Sequence, residues 1–476
     1  MCVPNGAQHA MNNGSDTQLQ GHVDVAVIGA GPAGMAAATV CAEHGLNVAI
    51  LDDQATPGGQ IYRGITLASR KMREVLGPDY CAGDALVAPL LDGRINYMPD
   101  TAVWEVTRDK TLHLTQGGRS SSLQADYVVL STGAMERPFP IPGWTLPGVM
   151  TAGAAQILLK TAGATAMGPV ILAGCGPLLY LLAAQYLAAG TQIAAVVDTT
   201  GWSDYWRALQ DGRGAASDIS SLAKGLKLLR TIKKAGVPFF TNASNLEATG
   251  DDRVREFKFT SGGKVHCLAA NVLLLHHGVV PNTQFTWSLR APHEWSEQQL
   301  CWLPKTNAVG ELDGASGIFV AGDGAAIIGA QAAAQHGRLI GIEISGRAGR
   351  LSAGARDEEV SRLNRRLNKT RQFRRFLDAL YRPKAAHRVP ADDVIVCRCE
   401  EVTAGALRNH VALGCLGPNQ AKSFSRCGMG PCQGRQCGLT VTELIATVRG
   451  VEPATVGYFR VRPPVKQVTL GELAEE

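Results

Sequence analysis

The chain has 476 residues, 45% of them hydrophobic and 18% charged, with a formal net charge of +5. That is too long for one core and too apolar for a disordered chain, so roughly three globular domains are expected. No apolar run reaches the ~20 residues that cross a bilayer, so no transmembrane segment is expected; twelve cysteines without a secretion signal argue against a disulfide framework.

In chain order, residues 1–21 are polar and predict a disordered leader rather than a signal peptide. Val23–Ile28 reads as a β-branched strand running into Gly29-Ala30-Gly31-Pro32-Ala33-Gly34, an Ala-rich helix to about His44 and a strand from Asn47 to Leu51. That is one βαβ unit, long enough for a parallel pair with a helical crossover. A strand from Tyr127 to Leu130 meets Ser131-Thr132-Gly133-Ala134. The pattern then repeats: strand Pro169–Ala173, turn Gly174-Cys-Gly176-Pro-Leu-Leu179, helix Tyr180–Ala189, and strand Gln192–Val197 ending at Asp198. A strand from Asn271 to Leu275 follows. Another, Gly317–Ala321, opens onto Gly322-Asp323-Gly324 and a long helix to about Ser345, and is expected to return to the first fold.

Residues 356–386 predict a charged amphipathic helix with a stripe of Val360, Leu363, Leu367, Phe373, Phe376, Leu377 and Leu380. Arg and Lys outnumber acids by about three to one between Arg347 and Arg388. No nucleic-acid-binding motif accompanies that charge, so a solvated or docking face is expected and no nucleic-acid partner. The expected organisation is α/β with two tandem Rossmann-like folds and a small helical C-terminal domain. A first dinucleotide domain takes 22–150 and 284–346, a second 151–283, a basic linker 347–388, a cysteine-rich domain 389–451 and an extended tail 452–476.

The first glycine motif has the strand-before, helix-after context that dinucleotide binding requires. Gly29 permits the tight turn, Gly31 lets the backbone approach a pyrophosphate, and Gly34 lets helix and sheet pack closely. Free N–H groups and the helix dipole hold the anion. Asp52, at the end of the second strand, can accept ribose hydroxyls. In the second motif Leu179 replaces the third glycine, so NAD(P) binding there is open, as are another nucleotide such as ATP and an empty site. No Cys pair accompanies the first two folds, which argues against dithiol chemistry there; Cys41 and Cys175 read as core. Adjacent His276 and His277 point to opposite faces and cannot easily share a metal.

Six cysteines lie between Cys397 and Cys437. Cys397-Arg-Cys399 is followed about thirty residues on by Cys427-Gly-Met-Gly-Pro-Cys432-Gln-Gly-Arg-Gln-Cys437. Four thiolates suit a [2Fe-2S] cluster or zinc, and this spacing is unusual for zinc. Cys415 reads as core.

Pro57-Gly58-Gly59-Gln60, Ser131-Thr132-Gly133-Ala134 and Gly322-Asp323-Gly324 together resemble the two-dinucleotide-fold flavoproteins that include thioredoxin-reductase-like enzymes. The resemblance implies FAD, with Asp323 reaching a ribityl hydroxyl. The cysteine-rich stretch resembles the bacterioferritin-associated-ferredoxin-like [2Fe-2S] domain. Through the run Gly-Met-Gly-x-Cys-Gln-Gly-x-x-Cys, the resemblance implies Cys397, Cys399, Cys432 and Cys437 as ligands and Cys427 as a neighbour; the Cys427/Cys432 pairing is the other candidate. Ser131 to Gln156, the Cys-rich end and the tail with Arg462-Pro-Pro and Thr469-Leu-Gly-Glu-Leu473 resemble the FAD/[2Fe-2S] component of multi-subunit amine dehydrogenases. That family includes the A subunit of opine oxidase, the B subunit of hydrogen cyanide synthase, and the α subunit of bacterial proline and hydroxyproline dehydrogenases. The resemblance implies an electron-relaying oxidoreductase subunit with no catalytic acid or base of its own. Its partner would be a D-amino-acid-oxidase-like FAD subunit that oxidises an amine, opine or imino acid, with room for a small ferredoxin-like subunit. The expected location is cytoplasmic, peripheral to a membrane through partners. Two alternatives stand beside it: a self-sufficient NAD(P)H-dependent reductase, and a structural subunit with a redox-silent flavin.

Overall fold

The computed structural model describes residues 21–210 and 212–474. The predicted leader, Gly21 excepted, lies outside them. In the first sheet β1 (His22–Ile28) is central, with β2 (Val48–Leu51) and then β3 (Asn96–Met98) parallel on one side. A meander of β4 (Thr101–Val106), β5 (Thr111–Gln116) and β6 (Arg119–Leu130) closes the other, with β6 parallel to β1. Val25, Ala26 and Val27 have no exposed surface, which is why β1 reads as a continuous apolar run rather than an alternating one. The late strand Ile318–Val320 pairs with β6, so the chain does return to the first fold.

The second sheet has five parallel strands in the order Phe239–Phe240, Ile193–Asp198, Val170–Cys175, Val272–His277, Val149–Thr151. The expected domain boundary at 150 therefore falls inside a strand of the second sheet. Leu179 does not force that fold apart. It is wholly buried in the helix Pro177–Ala188, within the core formed with Leu172, Leu182 and Val196.

The helix Pro32–Glu43 begins on a proline, whose fixed φ suits a first turn. It packs along the helix Ala330–Arg347, and glycine makes that contact: a Cβ on Gly337 would lie 2.0 Å from the Ala33 carbonyl oxygen, and one on Gly341 2.8 Å from that of Ala37. The basic helix runs from Ala353 to Leu380, capped by the Ser352 hydroxyl, and buries Leu363, Leu367, Phe373 and Phe376. It stops short of the predicted 386 because Pro383 disfavours helical backbone just before it; residues 381–384 are irregular and a single turn, Ala385–Arg388, follows.

The C-terminal unit builds its core from Val396, Leu407, Ala421, Val441, Leu444, Ile445 and Phe459. Several contacts fasten it to the rest, among them the following. Trp144 Nε1 donates to the Ile395 carbonyl at 2.7 Å. The tail crosses back to the first fold, Val465 N donating to the Trp104 carbonyl and Lys466 pairing with Asp53. Glu443, buried on the helix Gly438–Arg449, faces Arg388 of the linker and Arg137 of the first fold, the latter at 3.9 Å. Burial holds the Arg137 and Arg388 guanidiniums below their ordinary range, and Arg137 also donates to the carbonyls of Gln299 and Leu300. Removing one partner of such a buried set leaves uncompensated charge. Glu443→Gln is therefore expected to cost about 3 kcal/mol or more, seen as a lower thermal midpoint and faster tryptic cleavage after Lys384 and Arg388. Unchanged cleavage would show that the pair is not what holds the domains together.

Candidate functional site

The three glycines of the first motif meet three different constraints. Gly29 has φ 103°, and a Cβ there would strike the Ser131 carbonyl oxygen at 2.6 Å. A Cβ on Gly34 would lie 2.0 Å from the Gly29 carbonyl oxygen and 2.5 Å from Ser131 Oγ. Gly31 differs: a Cβ there meets nothing nearer than Gly59 Cα at 3.9 Å, so its missing side chain leaves open space rather than relieving packing. Gly59, at φ 59°, turns its own bare backbone to Gly31 from the Pro57-Gly58-Gly59-Gln60 turn. The two glycines form a notch at the start of the helix Pro32–Glu43, where N–H groups and dipole suit an anion. Ala30 N donates to Asp52 Oδ2, and Gln54 N to Oδ1 at 2.9 Å. Burial raises the pKa of Asp52.

Across the crevice Asp323 accepts from the N–H groups of Ile328 and Gly329, both through Oδ1. Asp323 thus shapes the turn before Ala330–Arg347, and Oδ2 has no partner among the described residues. Thr132 Oγ1 donates to the Asn282 carbonyl, and Asn282 N to the Gly133 carbonyl, which brings the Ser131–Ala134 turn and the end of the second fold together. Gly322 packs against Ala33 and Ala333. Contacts thus link the Gly29–Gly34 turn to Asp52, Gly59, Ser131 and Gly322, and the Ser131–Ala134 turn to Asn282. One neighbour went unnoticed. Lys160 is buried behind Gln60, donating to the Gln60 carbonyl and to Gln156 Oε1, each at 3.0 Å.

The second crevice, at the carboxyl ends of its strands, is where a nucleotide would bind an open α/β sheet. The chain itself crosses it. Cys175 Sγ, at the end of Val170–Cys175, donates to the Tyr381 carbonyl at 3.6 Å. The Tyr381 ring packs on Tyr180, 6.1 Å away, and the Tyr180 hydroxyl donates to Asp198. Lys384 pairs with buried Asp204, and the His387 ring lies 5.8 Å from that of His277. His276 turns the other way and pairs with Glu136 at 2.8 Å, so the two histidines do not converge.

The cysteine-rich unit gathers thiols. The sulfurs of Cys397, Cys427 and Cys437, all buried, lie within 4.8 Å of one another. Cys399 hydrogen-bonds Cys432 beside them, and a Cβ on Gly430 would sit 2.3 Å from Cys399 Cβ. Hydrogen bonds from Cys427 and Cys437 draw the Cys397 thiol far below its ordinary range and raise those of the two donors. The three thus favour sharing a thiolate, the form that ligates metal. Cys427, which the resemblance left out of the ligand set, is inside the group; Cys415 lies apart and donates to the Gly417 carbonyl. Tyr458 joins the group to the first crevice. It is half-buried, donates to the Gly434 carbonyl, lies against Gly438, and hydrogen-bonds Gln284, two residues from Asn282.

Residues 23–337 match the pyridine nucleotide-disulphide oxidoreductase family, and residues 393–476 the sarcosine oxidase A3 domain. The A subunit of opine oxidase from Rhizobium meliloti is 42% identical over 470 residues, covering 96% of this chain and 88% of that protein. The chain belongs to the pyridine nucleotide-disulphide oxidoreductases, in the group of the opine oxidase A subunits. Hydrogen cyanide synthase subunit HcnB of Pseudomonas protegens is 29% identical over 466 residues, covering 93% of this chain and 95% of that one. The crystal structure of L-proline dehydrogenase from P. horikoshii shares the fold, with TM-score 0.68 and 18% identity over 95% of this chain and 79% of that one.

In this oxidoreductase of flavoprotein fold, Lys160 is the buried cation nearest the Gln60 turn that sequence spacing did not mark. Burial first, then the Arg63 charge, lower its pKa from the ordinary 10.5 to about 7. Between those values the unfolded chain binds more protons than the folded one, so this group's penalty on stability is full below pH 7 and fades as pH rises toward 10.5. The thermal midpoint of Lys160→Met relative to the parent should therefore shift in the parent's favour across that window. A difference that stays constant with pH would show that the amine keeps its proton.

Proposed function

We propose that this chain is the electron-transferring FAD/[2Fe-2S] subunit of a hetero-oligomeric dehydrogenase. A partner flavoprotein subunit of the D-amino-acid-oxidase type would oxidise the C–N bond of an amine, opine or imino acid. The observation that carries the reading is the join between the two regions: Tyr458, against the thiol-bearing loops at Gly434 and Gly438, hydrogen-bonds Gln284, two residues from the Asn282 contact with the first fold. The similarity to a named subunit of opine oxidase and to one of hydrogen cyanide synthase supports a place in a multi-subunit enzyme.

The residues fit both groups. The Gly31–Gly59 notch, which a Cβ would begin to fill, and the helix start at Pro32 would hold the pyrophosphate; Ala30, Ala33 and Gly34 shape that loop. Asp52 would take ribose, and Asp323 Oδ2 a ribityl hydroxyl. Gln60, Thr132, Gly133 and Gly322 would line the flavin. Cys397, Cys399, Cys432 and Cys437 would hold the cluster, Cys427 hydrogen-bonding at its edge. The contact of Cys427 with both Cys397 and Cys437 favours a second ligand set in which it replaces one of the four. When bound, FAD supplies two-electron and one-electron chemistry and the cluster one-electron chemistry. The protein's part would be to fix their separation; between the two regions the half-buried Tyr458 ring stacks on Trp287, 5.2 Å away.

The second crevice, crossed by Tyr381 to His387, supports a relay over an NAD(P)H-fed reductase, since a nicotinamide nucleotide would have to displace the chain's own linker. ATP meets the same obstacle. A cytoplasmic location and a small ferredoxin-like further partner complete the reading.

Purified protein should carry FAD and about two iron atoms with acid-labile sulfide; stoichiometric zinc without sulfide overturns the cluster. Gly31→Val should lose flavin by filling the notch. Serine at 397, 399, 432 or 437 should lose the cluster, and serine at 427 retain it; loss at 427 with retention at 437 selects the second set. In stopped flow, NADPH should bleach the isolated chain slowly. Rapid bleaching at micromolar NADPH would return the reductase reading.

A further inference from the structure

The helix Trp202–Gln210 is packed inside out. Trp202, Tyr205, Trp206 and Leu209 stand at i, i+3, i+4 and i+7, the stripe that normally faces a core. Here Trp202 is 82% exposed, Trp206 68% and Leu209 60%. The opposite face is the buried one. Asp204 is held by Lys384 and by the Gly201 N–H, and Ala208 packs with Phe373 and Phe376 of the basic helix. The stripe is therefore anchored outward by contacts on its back, not left over from poor packing.

The next described helix of any length, Ile219–Lys234, packs Leu222 on the same Ala208 cluster. Its Ile219 is 70% exposed and Leu226 54%. Its exposed cations are Lys224, Lys227, Arg230, Lys233 and Lys234, and the helix contains no acidic residue. Of the five, Lys224 alone has an ion-pair partner among the described residues, Asp79. The basic helix that backs the helix Trp202–Gln210 carries Arg365, Arg366, Lys369 and Arg375 on its exposed surface.

Two exposed indoles, branched aliphatic side chains and flexible cations with few acids make the composition of an interfacial surface. Tryptophan settles at headgroup depth, and long basic side chains reach the phosphates while their stems stay in apolar contact. We propose that the helices Trp202–Gln210 and Ile219–Lys234 seat directly on an anionic lipid bilayer, with Trp202, Trp206 and Leu209 inserted among the headgroups and Lys227, Arg230 and Lys233 over the phosphates. No helix of the described residues is long and apolar enough to cross a membrane, so the contact is to the surface. The inference does not depend on the electron-relay reading.

The test uses the full-length protein and sedimentation with large unilamellar vesicles. Binding is expected to vesicles of phosphatidylcholine with phosphatidylglycerol, to be much weaker to phosphatidylcholine alone, and to fall as salt screens the charge. Indole fluorescence should shift to the blue on binding. Trp202→Ser with Trp206→Ser should lower the partition about tenfold or more, and Lys227→Glu or Lys233→Glu about fivefold each. All four side chains are exposed, so circular dichroism melts of the variants should match the parent. The proposal is overturned if anionic vesicles do not pellet the protein, or if the tryptophan variants bind them as well as the parent does. It is equally overturned if hydrogen exchange shows Trp202–Gln210 protected in a purified complex with a protein partner while that complex ignores vesicles.

Discussion

Much of this molecule hangs on one place where two helices touch without side chains between them. At Gly337 and Gly341 the helix Ala330–Arg347 lies against the backbone of Pro32–Glu43, and a single methyl group would meet a carbonyl oxygen at 2.0 or 2.8 Å. Hydrogen is the only substituent that fits, and interiors this dense do not yield by an ångström at low cost. The contact fixes the Gly29–Gly34 turn, at the start of one helix, relative to the Asp323 turn, before the start of the other. It also sets the tilt from which the basic helix departs. A crevice able to hold a long cofactor at both ends needs its ends at a constant separation, and this contact supplies it.

The cysteine-rich unit uses the same device at smaller scale. Gly428 and Gly434 lie against the Phe459 ring, Gly438 against Tyr458, and Gly430 against Cys399. The aromatic residues come from the tail, so the loops bearing the thiols are clamped by a segment that then returns to the first fold through Val465 and Lys466. The thiol-bearing unit keeps its own core but is joined to the first fold through the tail, whose Val461 and Val465 lie in the first fold's core.

The strand-turn-helix units were legible because each residue there answers a local demand. Gly29 needs positive φ, Gly34 a vanished side chain, β1 a run of β-branched residues. The return of Ile318–Val320 to the first sheet was legible too, through the Gly322-Asp323-Gly324 turn that follows it. Residues acting across long sequence separations were not. Lys160 meets Gln60 one hundred positions away, and Glu443 meets Arg137 across about three hundred; neither carries a periodicity or a spacing. The resemblance implies four ligands without Cys427 while its spacing to Cys432 keeps it as the other candidate, and the fold places its sulfur within 4.8 Å of those of Cys397 and Cys437. The basic helix was read too long because its stripe continues to Leu380 while the charge continues beyond, and charge alone does not propagate helix past Pro383.

That early stop has consequences beyond a boundary. Because the helix ends at Leu380, Tyr381 turns into the second crevice, and the segment to His387 can lie over the ends of its strands. A helix prolonged to 386 would have held these residues in rigid register with the basic helix. The crevice keeps the geometry of a nucleotide site: Gly174 at φ 132° permits the close turn, and Asp198 stands at the end of the next strand. Yet Asp198 is already satisfied by the Tyr180 hydroxyl and the Thr200 N–H. An entering nucleotide would have to unmake the Lys384–Asp204 pair and the His387 contact. Those contacts join the second fold to the linker that ends at Arg388, beside Glu443 of the thiol-bearing unit. The second fold thus serves as a seat for the linker, and a binding crevice has become part of what holds the two sites in register.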